Sequence, residues 1–293
     1  MVAGRKGSGK TAIFFMVRDH FRRERHSIVA DLRPESHRLS LFRSELLKML
    51  ETGTFDHTLA AFWYFVVLSE VLLTIRRDFQ FAQRRSSVSV QSEIDELDRT
   101  MRNLQITDTG DFTARLNRLS EYVLREIKAL SKKGQQLPPE QLTNVVFKGG
   151  IAEAKSLVSK LSAKSPNIVF LFDNIDKGWA TNGVDEFDVR LVRLLIESLE
   201  KAERDLAVAG RSFIPVVFLR NDVYELLVDE TPDRGKAAIV RIDWTDRAKL
   251  RQVIHRRLQA SVDDDGDFNS LWARYFEPTV AGRDSFEYLG QRF

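Results

Sequence analysis

Apolar positions along the chain alternate between short continuous runs and longer stretches with helical spacing. A continuous apolar run is typical of a strand buried on both faces, and spacing of three or four residues is typical of a helix with one buried face. The segments with the strand pattern are 27–32, 167–172, 213–219 and 237–244. The segments with the helical pattern are 11–26, 39–50, 93–104, 112–130, 151–161, 191–206 and 246–258. Thr245 is the predicted N-cap of the last of these helices, and its predicted inward positions are Leu250, Val253, Ile254 and Leu258. This alternation predicts an α/β fold.

Residues 59–75 form a nearly continuous apolar run. A membrane-spanning helix needs about 20 such residues, and Glu70 within the run would cost about 2.5–3.5 kcal/mol at the membrane centre. A helix buried in a large α/β domain explains the run better. A membrane span is the minor alternative.

The segment from Gly4 to Thr11 fits the phosphate-binding pattern G-x-x-x-x-G-K-[ST] without a mismatch. Glycines let such a loop wrap tightly and turn its N–H groups toward phosphate oxygens. Lys10 would bring its charge to the β- and γ-phosphates, and the Thr11 hydroxyl would bind Mg²⁺. The candidate nucleotide-binding residues are Gly4, Arg5, Lys6, Gly7, Ser8, Gly9, Lys10 and Thr11. A chance match arises about once in a hundred chains of this length, so nucleotide binding is the first functional hypothesis.

The apolar run 167–172 ends in an acidic residue, Asp173. In open α/β sheets the carboxyl ends of the strands face the ligand crevice. Asp173 is therefore predicted to hold Mg²⁺ opposite Thr11, directly or through water.

The run 213–219 ends in Arg220-Asn221-Asp222. Polar groups at this strand end can reach a γ-phosphate, so Arg220 and Asn221 are candidate sensors of the bound nucleotide. An ion pair with Asp222 explains Arg220 equally well. Pro215 favours an irregular start of the strand over a position in the middle of a ladder.

Composition adds few constraints. The net charge of +3 permits an anionic partner without favouring nucleic acid over nucleotide. The chain has no cysteine, which excludes disulfides and cysteine-based zinc or redox sites and fits the cytoplasm. No signal peptide precedes the glycine-rich segment. Because only Met1, Val2 and Ala3 precede Gly4, and no closing signal follows 291–293, we expect a fragment of a longer protein.

Residues 84–150 differ in character from the sequence on either side. A polar break at 84–89 is followed by two amphipathic helical patterns and a loop at 132–139. We interpret this segment as a helical insertion in the nucleotide domain. It would either bind a protein partner or serve as a structural extension.

The order of these motifs resembles that of bacterial P-loop ATPases of the AAA-like and STAND/KAP type. The likeness is greatest to a group of such ATPases that carries Gly-Arg-Lys-Gly-Ser-Gly-Lys-Thr and a segment like Asp-Asn-Ile-Asp-Lys-Gly-Trp. It covers about residues 1–83 and 151–260. It implies a three-layer sandwich in residues 1–244 whose parallel sheet has an AAA-like strand order, with the strand 213–219 between the Asp173 strand and the loop strand. It also implies a helical lid that begins at about residue 245 and is truncated within 245–293.

The resemblance further implies an enzyme that hydrolyses Mg-ATP, and the leading hypothesis places it in the cytoplasm. In AAA-type relatives the acid after the Mg²⁺ aspartate activates water, but this chain has Asn174 there, and an amide is not a general base at neutral pH. Asp176 is the expected substitute, and Asn174 could orient water. Slow hydrolysis as a conformational switch, in defence or signalling, is the leading hypothesis. The alternatives are a non-hydrolysing nucleotide-binding scaffold and an ATPase acting on nucleic acid.

A homo-oligomer is also implied by the resemblance, because in AAA assemblies an arginine from a neighbouring subunit completes the site. Arg234 occupies the comparable position here, and the simpler interpretation of Arg234 as a plain loop residue is favoured.

Overall fold

A computed structural model describes most of the chain. The described residues are 1–24, 27–34, 55–85, 90–132, 150–161, 167–175, 186–208, 210–230, 239–243 and 245–290. The helix predicted for 39–50 lies outside them, as do Asp176 and Arg234. Within them the α/β prediction is confirmed.

Five parallel strands form the main sheet. They are β1 (Val2–Gly4), β2 (Ser27–Leu32), β3 (Asn167–Phe172), β4 (Ser212–Arg220) and β5 (Val240–Ile242). Their order across the sheet is β2-β3-β4-β1-β5. Strand β4 therefore lies between β3 and β1, as the resemblance implied. The ends of the strands are aligned, since Leu32 pairs with Phe172 and Gly4 pairs with Arg220.

The helices cover both faces of this sheet. Their bounds are α1 (Lys10–Arg23), α2 (Phe55–Arg85), α3 (Gln91–Asn103), α4 (Phe112–Lys132), α5 (Gly150–Leu161), α6 (Glu186–Val208), α7 (Asn221–Glu230), α8 (Arg247–Val262), α9 (Phe268–Tyr275) and α10 (Ser285–Gly290). Along β3, Val169 and Leu171 pack with Phe14 of α1, whereas Phe170 and Phe172 join the core formed with α2, α5 and α6. Because strand side chains alternate between faces, this split places the sheet between two helical layers.

Helix α2 is the centre of the larger core. Phe62, Trp63 and Leu72 are fully buried. Within the described residues one segment, Asp56–Gln80 of α2, is long and apolar enough to cross a membrane, but 89% of its most apolar window is buried inside the protein. Burial of this extent is typical of a core helix, so the interpretation of residues 59–75 as a buried helix is confirmed.

A buried ion pair attaches the predicted insertion to this core. Arg115 of α4 donates from Nε and Nη2 to the two carboxylate oxygens of Glu70 in α2, at 2.7 and 2.6 Å. Burial raises the pKa of Glu70, and the Arg115 guanidinium opposes that rise. An uncompensated charge here would be costly, so the pairing fixes α4 against α2.

Residues 245–290 are less uniformly helical than predicted. A two-stranded antiparallel hairpin, β6 (Thr279–Val280) and β7 (Arg283–Asp284), lies between α9 and α10. No residue of α8 is buried. The apolar positions predicted to face inward are only half-buried; they are Leu250, Val253, Ile254 and Leu258.

Two local predictions are wrong. Thr245 is not the N-cap of α8: Asp246 is, because its carboxylate accepts the Lys249 N–H at 3.1 Å, while the Thr245 hydroxyl donates to Asp243 at 2.7 Å. Pro215 does not mark an irregular strand start, since it lies within β4 in register with Phe170.

Candidate nucleotide-binding site

The glycine-rich segment connects a buried strand to a helix. Strand β1 ends at Gly4 and helix α1 begins at Lys10. Gly7 and Gly9 have φ angles of 84° and 93°, a region in which side chains with a Cβ are strained. A Cβ on Gly4 would collide with the Ser8 hydroxyl. Backbone conformation therefore explains the glycines at positions 7 and 9, and close packing explains Gly4.

The N-terminus of α1 is open toward this loop. Its N-cap residue is Gly9, so no side chain caps the first amides, which carry partial positive charge. Ser8 is 5% exposed, and its hydroxyl oxygen has no hydrogen-bond partner among the described residues. A buried polar atom without a partner beside uncapped helix amides is the arrangement that a bound anion would satisfy.

The Lys10 side chain folds back along the loop. Its ammonium donates to the carbonyl of Gly4 at 2.7 Å and to that of Arg5 at 3.0 Å. Arg5 and Lys6 are exposed on the loop. The loop, its lysine and the helix amides therefore concentrate positive charge at one end of β1.

Thr11 and Asp173, which are 162 residues apart in the chain, meet at the carboxyl edge of the sheet. The Thr11 hydroxyl donates to Asp173 Oδ2 at 3.1 Å. Asp173 is 2% exposed. Burial raises the pKa of its carboxyl, while the hydrogen bonds from Thr11 and the Asn174 backbone and the charges of Lys10 and Arg33 lower it. The net direction is upward, so the ionised carboxylate is less favoured here than in an exposed aspartate.

These two residues suit Mg²⁺ by their chemistry. A hydroxyl and a carboxylate are oxygen ligands, and Mg²⁺ is commonly held by one or two protein groups while phosphates and water complete its shell. No group of three or more His, Cys, Asp or Glu side chains able to hold a metal occurs among the described residues. The pair would therefore hold Mg²⁺ only together with a phosphate ligand.

Asn174 directly follows Asp173 in the sequence. Its φ of 66° lies in the left-handed region that asparagine tolerates better than most residues, and its backbone N–H bonds the Asp173 carboxylate. The residue thus fixes the turn after β3. Asp176 lies outside the described residues, so its position relative to this site stays a prediction.

Arg220 and Asn221 lie at the end of β4, next to Gly4 in the sheet register. Arg220 donates from Nε to Asp222 at 3.0 Å, and Nη2 also contacts that carboxylate. This is the ion pair that sequence reasoning offered as the alternative to sensing. Asn221 Oδ1 is buried and has no hydrogen-bond partner in the described part of the chain, so Asn221 is the better placed of the two to receive a ligand.

Sequence reasoning missed Arg33. This residue directly follows β2, and its charge acts on Asp173. The rule that selected Asp173, a polar residue just after a buried parallel strand, also selects Arg33 in the sequence Asp31-Leu32-Arg33-Pro34.

Comparison with known proteins gives one distant relative. No family model matches the chain, and no solved structure matches it significantly. The chain is 22% identical over 297 aligned positions to an 80.3 kDa protein of Escherichia coli (strain K12) whose name assigns it to transposon gamma-delta. The alignment covers 98% of this chain and 38% of that protein. The chain thus spans well under half the length of its curated relative.

Proposed function

We propose that this chain is a P-loop nucleotide-binding module that binds Mg-ATP at the edge of the sheet where β1, β3 and β4 end. The observation that carries the proposal is the 3.1 Å contact between Thr11 and Asp173 beside the glycine-rich loop. Two motifs distant in sequence, the glycine-rich loop and the acid that follows β3, converge there. The strand order also agrees with the resemblance to AAA-like and STAND/KAP ATPases.

Each residue of the site would have a role that its chemistry determines. The loop from Gly4 to Gly9 and the uncapped amides of α1 would bind phosphate oxygens. Lys10 would leave the loop carbonyls and donate to the β- and γ-phosphates. Thr11 and Asp173 would hold Mg²⁺, which when bound neutralises phosphate charge. Asn221 would donate from its side-chain amide N–H to the γ-phosphate.

We propose slow hydrolysis that works as a conformational switch. Asn174 cannot remove a proton from water at neutral pH, so Asp176 is the proposed base and Asn174 is proposed to orient the water. The alternative is a scaffold that binds nucleotide without turnover. Use of ATP rather than GTP and assembly into homo-oligomers follow from the family resemblance. A cytoplasmic location and a protein partner for the insertion are predictions from the sequence itself, and all four remain predictions.

Steady-state ATP turnover tests this proposal. We expect slow turnover by the full-length protein that Lys10→Ala abolishes and Asp176→Asn reduces. Asn174→Asp should raise turnover if the native site is weakened by its amide. Saturable ATP binding without turnover would favour the scaffold. A folded protein that neither binds nor hydrolyses ATP would refute the proposal.

A second candidate function is an ATPase that acts on nucleic acid. The relative's name refers to a transposon, and α8 carries five Arg or Lys residues, no Asp or Glu, and no buried residue. A helix with this composition suits a polyanion. DNA-stimulated turnover that declines with salt, and that the double substitution Arg256→Glu/Arg257→Glu removes, would support this candidate. Turnover indifferent to DNA would count against it.

A further inference from the structure

Arg33 lies at the edge of the sheet that carries the candidate site. The backbone N–H of Asp173 donates to the carbonyl of Leu32 at 3.0 Å, so Arg33 and Asp173 leave adjacent strands side by side. In the strand order, β2 and β1 lie on opposite sides of β3. Arg33 therefore approaches Asp173 from the side of β3 away from the glycine-rich loop.

Two aromatic rings hold the Arg33 guanidinium against α1. Its Cζ lies 4.7 Å from the ring centroid of Phe15 and 5.4 Å from that of Phe14. These rings follow Thr11 by three and four residues, which is about one helical turn. Because Arg33 is exposed, N–H groups of its guanidinium remain able to donate to a ligand. The cation is thus positioned next to the Thr11–Asp173 pair before any ligand binds.

Arg18 also lies over the Phe15 ring, but the charges around it differ from those around Arg33. Arg18 Cζ lies 4.6 Å from the Phe15 centroid, and Arg18 pairs with Asp19 at 2.7 Å and Asp31 at 3.8 Å. Arg33 is exposed and forms no ion pair with any carboxylate of the described residues. Its charge acts on Asp173, whose carboxyl pKa it lowers against the effect of burial. An exposed guanidinium held over aromatic rings beside a candidate metal ligand suits an anionic ligand.

We propose that Arg33 contacts the terminal phosphate of the bound nucleoside triphosphate from within the same chain. This inference rests on the proposed Mg-ATP site. An arginine fork matches two phosphate oxygens, and such a charge-assisted contact is stronger than a neutral hydrogen bond. A residue that contacts only the terminal phosphate distinguishes a triphosphate from a diphosphate.

Calorimetric binding of Mg-ATP and Mg-ADP tests the assignment. Arg33→Ala should weaken Mg-ATP binding by about tenfold or more, the value of one charge-assisted hydrogen bond, and should leave Mg-ADP binding unchanged. Arg33→Gln, which keeps the stem over the rings, should show the same selective loss. Arg18→Ala removes a cation from the same ring and should affect neither nucleotide.

The outcomes separate this inference from the function on which it rests. Equal weakening of Mg-ATP and Mg-ADP, or no weakening of either, in folded Arg33→Ala and Arg33→Gln would overturn the role of Arg33 alone. If the wild-type protein binds Mg-ATP and these variants retain its full preference over Mg-ADP, the proposed function stands without Arg33. A folded wild-type protein that binds neither nucleotide would overturn both.

Discussion

Asp173→Asn separates a metal-binding role for Asp173 from a structural one. The substitution preserves the size of the side chain and an oxygen that can accept the Thr11 hydroxyl, which now lies 3.1 Å from Oδ2. It removes the negative charge of a residue that is 2% exposed. We therefore expect the fold to survive and the unliganded chain to become more stable.

The pKa of the Asp173 carboxyl explains why the substitution should stabilise the unliganded chain. Burial raises this pKa above its ordinary value, even with the attraction of Lys10 and Arg33 included. For an acid whose pKa is raised in the folded state, stability falls as pH rises from the ordinary pKa through the raised one, and the penalty is full above it. The advantage of Asp173→Asn over wild type should hence be small near pH 4, about the ordinary Asp pKa, and largest near neutral pH.

The expected changes are measurable. Relieving a strained functional position commonly adds about 0.5–2 kcal/mol to the free energy of unfolding. At roughly 2.1 cal/mol/K of unfolding entropy per residue, the 293 residues convert this gain to about 1–3 °C in Tm. A ligand at about one hundred times its Kd adds about 2.7 kcal/mol, so Mg-ATP should raise the wild-type Tm by about 4–5 °C.

Thermal unfolding with and without Mg-ATP is the assay. We expect Asp173→Asn to raise the Tm of the unliganded protein and to lose most of the shift that Mg-ATP gives the wild type. Thr11→Val, which removes the hydroxyl and keeps the branched shape, should also lose the Mg-ATP shift. A lower unliganded Tm for Asp173→Asn near neutral pH, together with an intact Mg-ATP shift, would refute the reasoning.

Three further predictions concern the loop, its lysine and the buried ion pair. Gly9→Ala should destabilise the fold by about 1–2 kcal/mol because φ is 93°, whereas Gly290→Ala, which meets open space without a positive φ, should change the denaturation midpoint little. Lys10→Ala should weaken ATP binding more than about tenfold and leave the far-UV circular dichroism spectrum unchanged; unaltered affinity would contradict the role of Lys10. Arg115→Ala should cost about 3–5 kcal/mol in urea unfolding by leaving Glu70 buried and unpaired. The double variant Glu70→Leu/Arg115→Leu should recover much of that loss, and no recovery would argue against the charge as its cause.

The sequence predicted the fold best where apolar residues form a continuous run. The run from Ile168 to Phe172 is apolar at every position, and this reports burial on both faces of a parallel strand. The convergence of Thr11 and Asp173 was predictable because parallel strands end at one edge of a sheet. Neither inference depended on the structure of the residues that separate Thr11 from Asp173 in the chain.

Local details were harder to predict because they depend on neighbours distant in sequence. Pro215 lies inside β4 in register with Phe170, and this register is set by β3, a strand distant from it in the sequence. Asp246 rather than Thr245 caps α8, since both residues can cap and the backbone path decides. Arg33 satisfies the same strand-end rule as Asp173, but its contact with Phe14 and Phe15 was not predictable because it requires α1 to pack beside the end of β2.

Titration calorimetry of the full-length protein with ATP, in the presence and absence of Mg²⁺, tests the central claim most directly. We predict saturable one-to-one binding that Mg²⁺ strengthens, with the Mg²⁺ increment lost in Asp173→Asn. Absence of ATP binding by a protein that unfolds cooperatively, or binding in which Mg²⁺ and Asp173 play no part, would contradict the account.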